Sequence, residues 1–214
     1  MATIIGILGN KGGTGKTTLT HLVAHGLALA GHRVVAATTD AGREPLSKQH
    51  RRYLPVDART PEALEKVAAK LANVDGWYGV LDGGANRPQT DERLAALADL
   101  VLLPFRDSPE DLRVVLRDLE RFPGAYALPS QWPTNVWQRE AAERALGRSL
   151  GGCASRILRP VPAISATKQL LEIVAPVRLP PQVDTAARDL ADTVLARLGH
   201  RRDTTDAPAA VAAT

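Results

Sequence analysis

Apolar residues along the chain fall into two alternating patterns, short continuous runs and longer stretches with helical spacing. Thr3-Ile4-Ile5-Gly6-Ile7-Leu8 is a run of the first kind, and its β-branched residues predict a strand buried on both faces. From Lys16 to Ala30 the apolar residues have helical spacing, and Gly31 follows where such a helix would end. Further strands are predicted at 33–37, 78–81, 100–104 and 124–128, and further helices at 61–72, 91–98, 109–121, 136–147 and 184–198.

This alternation predicts the fold class. Strands that alternate with helices of this length are joined by right-handed crossovers, which produce a parallel sheet. We therefore expect an α/β fold with a single doubly wound, mostly parallel sheet and helices on both faces. Residues 1–200 are assigned to one domain, because 214 residues of which 44% are apolar suit a single core. The stretch 201–214 has little apolar bulk and is predicted to be a disordered tail.

The loop after the first predicted strand carries a phosphate-binding pattern. Gly9 to Thr17 fits G-x-x-x-x-G-K-[ST], between a strand and a helix as that pattern requires. Glycines let the backbone approach phosphates, and the N-terminus of the helix favours negative charge. Lys16 is expected along the β- and γ-phosphates, and the Thr17 hydroxyl on Mg²⁺. The predicted nucleotide contacts are Gly9, Asn10, Lys11, Gly12, Gly13, Thr14, Gly15, Lys16, Thr17 and Thr18.

Two acidic residues follow predicted strands. Asp82 comes directly after the strand at 78–81, and it is predicted to hold a magnesium-bound water, the Walker B role. Asp40 follows the second strand and could orient or polarise the attacking water. An alternative for Asp40 is a turn residue before Ala41-Gly42.

Charge and composition narrow the classes of function. The net charge is +4, and five basic residues with no acidic one lie between Arg144 and Leu171. Such a stretch attracts nucleic acid, although a solvated surface is the alternative. No apolar run reaches the ~20 residues that span a bilayer, and there is no signal peptide, so a cytoplasmic protein is expected. The first candidates for DNA contacts are Arg156, Arg159 and Lys168, and the second candidates are Arg144, Arg148 and Arg178.

Lys11 directly precedes Gly12-Gly13, and the resulting K-G-G-x-G-K-T-T form resembles the deviant Walker A box of the ParA/MinD family of P-loop ATPases. The likeness continues beyond the loop. Val34 to Asp40 resembles the family's strand ending in D-x-D-P-Q, Val80 to Gly84 its Walker B strand, and Ala98 to Pro104 its A-D-x-V-x-x-P strand. These stretches span the first half of the chain.

The resemblance implies a mechanism. Two ATP-bound monomers form a face-to-face dimer, in which Lys11 reaches the partner's nucleotide and acts with Lys16 and Asp40 in hydrolysis, while Thr17 and Asp82 hold Mg²⁺. The chain departs from the family at Thr38, where an acid is usual, and at Ala41-Gly42, which replaces Pro-Gln. We therefore expect slow, Mg²⁺-dependent ATP hydrolysis.

The resemblance also implies partners. ParA-type proteins bind double-stranded DNA without sequence preference in the ATP state, and they position plasmids with a separate adaptor or DNA-binding protein. We thus expect segregation of plasmid or mobile-element DNA and nucleoid association of the ATP-bound dimer. One alternative is positioning of a protein assembly or conjugation apparatus; another is a nucleotide-gated binding module with negligible hydrolysis. The final residues have neither bulky apolar side chains nor lysines, which argues against membrane attachment.

Overall fold

The computed structural model describes residues 1–44, 46–149, 151–172 and 178–205. Six strands form one sheet in the order β3-β2-β4-β1-β5-β6, and every neighbouring pair is parallel. The α/β fold with a doubly wound sheet is thereby confirmed, and among the described strands the sheet is entirely rather than mostly parallel. The strands are β1 (Thr3–Ile7), β2 (Arg33–Thr38), β3 (Leu54–Asp57), β4 (Trp77–Asp82), β5 (Leu100–Phe105) and β6 (Tyr126–Pro129).

In the described part of the chain, six α-helices and two short 3₁₀ helices connect and cover these strands. Proline opens α2, α3 and α4, a position where its missing N–H is not needed. Ser108 caps α4, because its Oγ accepts the N–H of Asp111 at 3.0 Å. The helices are α1 (Lys16–Leu29), α2 (Pro61–Ala72), α3 (Pro88–Leu97), α4 (Pro109–Arg121), α5 (Val136–Ser149) and α6 (Pro181–Thr205), with 3₁₀ helices at Gly151–Arg156 and Ser165–Leu170.

The sheet separates two cores. Successive residues of a strand point to opposite faces, so in β5 Leu100 and Leu102 pack in a cluster with α1 and α6, whereas Leu103 and Phe105 pack in another with α2, α3, α4 and α5. Because both faces are covered, the middle parts of the central strands are apolar, and the ends of these strands are the places where polar groups can gather.

The strand β3 was not predicted from the sequence, and the last helix extends beyond the predicted range 184–198. β3 has four residues, one of them Pro55, and it lies at the edge of the sheet, where proline is tolerated. The helix α6 continues to Thr205, so residues 201–205 of the predicted tail are helical, and residues 206–214 lie outside the described part of the chain. Among the described helices, none has the length and hydropathy to cross a bilayer.

The helices α1 and α6 approach each other most closely at Gly26. A Cβ added there would lie 1.9 Å from the carbonyl oxygen of Ala187 and 3.0 Å from the Cβ of Ala191. A side chain at this position therefore requires the two helices to move apart.

Gly26→Ala is expected to lower the free energy of unfolding by ~2 kcal/mol or more, because the added methyl group overlaps main-chain atoms of α6. Gly147→Ala is the matched control: it is also a helical glycine, but no atom lies within 4 Å of its added Cβ. That control should gain ~0.5–1 kcal/mol from helix propensity. Urea unfolding of both variants measures the difference, and an unchanged midpoint for Gly26→Ala would contradict the close contact.

Candidate functional site

The loop between β1 and α1 lies at the carboxyl edge of the sheet, next to its centre. Gly9, Gly13 and Gly15 have φ values of 130°, 78° and 90°, a region that side chains strongly disfavour. Gly15 is the N-cap of α1 and supplies no side-chain cap, so the first N–H groups of the helix remain available to an anion. The ten residues predicted to contact nucleotide thus lie in one loop and the first turn of α1.

The side chains of both loop lysines are engaged by other groups of the chain. The Nζ of Lys16, which is 7% exposed, donates to the carbonyl oxygen of Lys11 at 2.7 Å. Burial lowers the pKa of Lys16, and the carboxylates of Asp91 and Asp82 partly oppose that shift. The Nζ of Lys11 lies 2.5 Å from Oε1 of Glu110 at the start of α4. The loop therefore satisfies its own cations until a phosphate replaces these contacts.

Polar groups from three other parts of the fold hold the loop in place. The N–H of Asn10 donates to Oδ2 of Asp118 at 3.2 Å, and the carbonyl oxygen of Asn10 accepts the N–H of Asn86 at 3.2 Å. The hydroxyl of Ser130, just after β6, donates to the carbonyl oxygen of Thr14 at 2.6 Å. The sequence reading missed these residues. The available signal was an acid, Asp118, on the same helix face as the buried Val115.

Asp82 has the environment expected of a cation ligand. It is fully buried, its Oδ1 accepts the Thr20 hydroxyl at 3.4 Å, and its Oδ2 has no partner among the described residues. Burial raises the pKa of Asp82 to about 6, and a hydrogen bond from Thr17 partly opposes the shift. An unpartnered carboxylate oxygen beside a threonine hydroxyl fits Mg²⁺, which takes oxygen ligands and few of them from the protein. The described residues contain no cluster of three or more His, Cys, Asp or Glu suited to a metal.

Asp40 forms a turn in this state of the chain. Its Oδ1 accepts the N–H of Gly42 at 3.0 Å, and its Oδ2 lies 3.6 Å from Nε of Arg43. This geometry matches the alternative interpretation of Asp40, and its role in orienting water stays a prediction. Thr38 is 3% exposed and pairs with Asp82 across β2 and β4, so a neutral hydroxyl lies where the related proteins are expected to have an acid.

The basic stretch after α5 divides into residues with different environments. The guanidinium of Arg156 donates to three main-chain carbonyl oxygens, those of Ala125 at 2.9 Å, Leu119 at 3.0 Å and Phe122 at 2.7 Å. These bonds hold the end of α4 and occupy donors of Arg156 that a phosphate would need, and its role as a DNA contact stays a prediction. Arg159 and Lys168 are exposed, and neither forms an ion pair with any residue in the described part of the chain.

Residues 5–202 match the family model of the CobQ/CobB/MinD/ParA nucleotide binding domain. The protein belongs to this family. The match covers the phosphate loop, the Asp82 strand and the later helices in one continuous stretch. The ParA/MinD resemblance of the sequence is thereby confirmed. No curated protein sequence matches the chain.

Solved structures of family members share the fold over most of the chain. The MinC:MinD cell division complex of Aquifex aeolicus aligns with a TM-score of 0.69 and 17% identity, covering 91% of this chain and 96% of that one. An McdA variant from Cyanothece in complex with ATP gives 0.62 and 17%, with 90% and 96% covered. Cobyrinic acid a,c-diamide synthase from Mycobacterium smegmatis with ADP and magnesium gives 0.61 and 16%, with 94% and 97% covered. At these identities the likeness establishes the fold of this nucleotide-binding domain.

Arg156→Ala is expected to lower the free energy of unfolding by ~1–3 kcal/mol, because it leaves carbonyl oxygens of the α4 end without their charged donor. Thermal or urea unfolding measures this loss. Arg148→Ala, at an exposed position on α5, is the control and should change stability by less than ~0.5 kcal/mol. Equal stability of both variants would show that the guanidinium contributes nothing to the fold.

Proposed function

We propose that this protein is a ParA-like ATPase that dimerises on binding ATP, binds DNA without sequence preference, and positions plasmid or mobile-element DNA with a partner protein. The observation that carries the proposal is the arrangement of the two loop lysines. Lys16 is buried against the loop, whereas Lys11 is held at its mouth by a contact to Glu110 that solvent reaches. A lysine side chain in that position can exchange its contact with Glu110 for a contact with a second molecule.

Each residue of the site has a separate task in this proposal. Lys16 and the N–H groups of the first turn of α1 would bind the phosphates, since both are donors without a competing side-chain acceptor. Thr17 and Asp82 would hold Mg²⁺, which when bound neutralises charge on the phosphate oxygens. Asp40 would orient water after leaving its turn. Because Thr38 brings no charge, hydrolysis is expected to be slow.

Lys11 would act in trans. Its ion pair with Glu110 is open to solvent on the glutamate side, with side-chain exposures of 28% for Lys11 and 68% for Glu110, and such surface pairs contribute only ~0–1 kcal/mol. A contact of this strength is easily exchanged for the partner's phosphate, to which an ammonium binds more strongly in a closed interface. The dimer would therefore form only when both loops contain ATP.

DNA binding is proposed for the ATP-bound dimer, at Arg159 and Lys168. Both side chains are exposed and lie in the stretch that carries the excess of positive charge. Non-specific DNA binding depends on the number of phosphates neutralised, so dimerisation, which doubles the contacts, would make affinity depend steeply on nucleotide. This coupling would place the protein on the nucleoid in the ATP state. The adaptor partner would be a separate protein that stimulates hydrolysis.

Lys11→Ala is expected to bind ATP like the wild type but to lose ATP-dependent dimerisation, whereas Lys16→Ala should lose nucleotide affinity by at least about tenfold, because a charged hydrogen bond is removed. Fluorescent-nucleotide titration measures binding, and light scattering with Mg²⁺-ATP measures dimers. Lys66→Ala, an exposed lysine on α2, is the control for loss of a positive charge. Wild-type dimers from Lys11→Ala would eliminate its role in trans.

Replacing Arg159 and Lys168 together by alanine is expected to weaken DNA binding most at low salt. The double variant removes two charges per subunit and four per dimer, so the slope of log K against log salt should fall by about 3–4. Duplex-DNA retention with ATP, with ADP and without nucleotide, across a salt series, measures this slope. Arg93→Ala, an exposed arginine on α3, serves as the control. An unchanged slope would place the DNA surface elsewhere.

A further inference from the structure

Two buried carboxylates lie against the start of the phosphate loop and are not used by the proposed mechanism. Asp91 belongs to α3 and is 1% exposed, and Asp118 belongs to α4 and is 9% exposed. Both are on helices that cover the same face of the sheet. Ionised acids are rarely buried without a partner, so the pair requires an explanation.

The contacts of the pair place it at Gly9 and Asn10. The Oδ2 of Asp118 accepts the N–H of Asn10 at 3.2 Å and lies 3.5 Å from a Cβ built on Gly9. The Oδ1 of Asp91 lies 3.1 Å from a Cβ built on Gly83, directly after Asp82. Neither carboxylate oxygen of Asp91 has a hydrogen-bond partner among the described residues. The N–H of Gly9 faces Asp91 and favours its charged form, so both acids are directed at the start of the phosphate loop, while burial still disfavours the charge of Asp91.

The charges around the pair come from several elements. Lys16 of α1 and Arg121 of α4 favour the charged form of Asp91, and Asp118 opposes it. Arg121 also holds Glu92 at 2.5 Å and the carbonyl oxygen of Pro88. Around Asp118 the cations are Arg121, Lys16 and Arg117, and around Lys16 the acids are Asp91, Asp82, Asp118 and Asp40.

Two groups of anions therefore interact with Lys16. They are the carboxylates of the acid pair and, in the proposed function, the phosphates of the nucleotide. Nucleotide brings further negative charge to the same lysine, which leaves Asp91 and Asp118 with less compensation. A buried acid with less compensating positive charge is more stable in its protonated, neutral form than in its ionised form.

We propose that Asp91 and Asp118 are positioning residues for the start of the phosphate loop, and that the pair takes up a proton when nucleotide phosphates bind. The inference rests on the proposed nucleotide binding. It assigns to the acid pair a role in setting nucleotide affinity, separate from the residues that touch the phosphates.

The direction of the pH dependence follows from linkage. Burial raises the pKa of Asp91 to about 6 in the free chain, and burial also raises the pKa of Asp118. Bound phosphates would shift the pKa of the pair further upward. At pH values between the pKa of the pair without phosphates and its pKa in the complex, the complex therefore holds more protons. Nucleotide affinity should then rise as pH falls from above neutrality towards about 6, and level off below that pH.

Isothermal titration of the full chain with Mg²⁺-ADP, in two buffers of different ionisation enthalpy at pH 7 to 8, measures the protons taken up. Asp91→Asn keeps the shape of the side chain and cannot ionise. It is expected to take up fewer protons than the wild type and to bind ADP about tenfold tighter at the upper end of this range, the equivalent of one pKa unit. Glu65→Gln, at an exposed position on α2, is the control for loss of an acid away from the pair and should behave like the wild type.

The outcomes of this titration separate the inference from the proposed function. Equal proton uptake and equal affinity of the wild type and Asp91→Asn would overturn it while leaving the proposed function intact. Failure of the folded wild type to bind any nucleotide would overturn both. Should Asp91→Asn not fold, Asp118→Asn gives the same comparison, since its amide oxygen still accepts the N–H of Asn10; reduced proton uptake there supports the pair, and unchanged uptake overturns it.

Discussion

The burial of one ammonium group is the constraint on which the site depends. Lys16 is 7% exposed, and a charge in such a place has to be compensated by acceptors and counter-charges. The fold supplies the carbonyl oxygen of Lys11 and the carboxylates of Asp91, Asp82, Asp118 and Asp40. These groups come from the loop itself, from β4, from α3, from α4 and from the segment after β2. Only a sheet that ends all its central strands at one edge brings them together.

The contacts of Lys16 within the chain would compete with nucleotide phosphates for the same ammonium group. In the proposed function a phosphate displaces the carbonyl oxygen of Lys11 and adds negative charge beside the nearby acids. Such competition is useful in a nucleotide switch, because a ligand shifts an equilibrium only through contacts that differ between the two states. The exposed Lys11–Glu110 pair adds little to the stability of the free state, which suits a side chain that has to reach another molecule.

Basic residues that are close in sequence have different roles in the fold. Arg156 completes the hydrogen bonds of the α4 end, and Arg144 lies 3.7 Å from Glu140 on its own helix, whereas Arg159 and Lys168 face solvent without an ion pair in the described part of the chain. A basic stretch therefore becomes a basic surface only where no carbonyl or carboxylate oxygen of the fold has engaged the side chain.

The sequence by itself determined the fold class, five of the six described strands, the phosphate loop and the acid at the end of β4. These follow from local signals, since buried parallel strands require continuous apolar runs and a phosphate loop requires glycine at fixed positions. The short edge strand β3 was not predicted, because Pro55 and its exposed neighbours carry no such signal. Only the tertiary structure decided which acids meet the loop. Asp91 and Asp118 are 27 residues apart in the chain, and the packing of α3 and α4 on one face of the sheet brings both to Gly9 and Asn10. Long-range electrostatic neighbours of this kind depend on how elements pack, which the pattern of residues within one element does not contain.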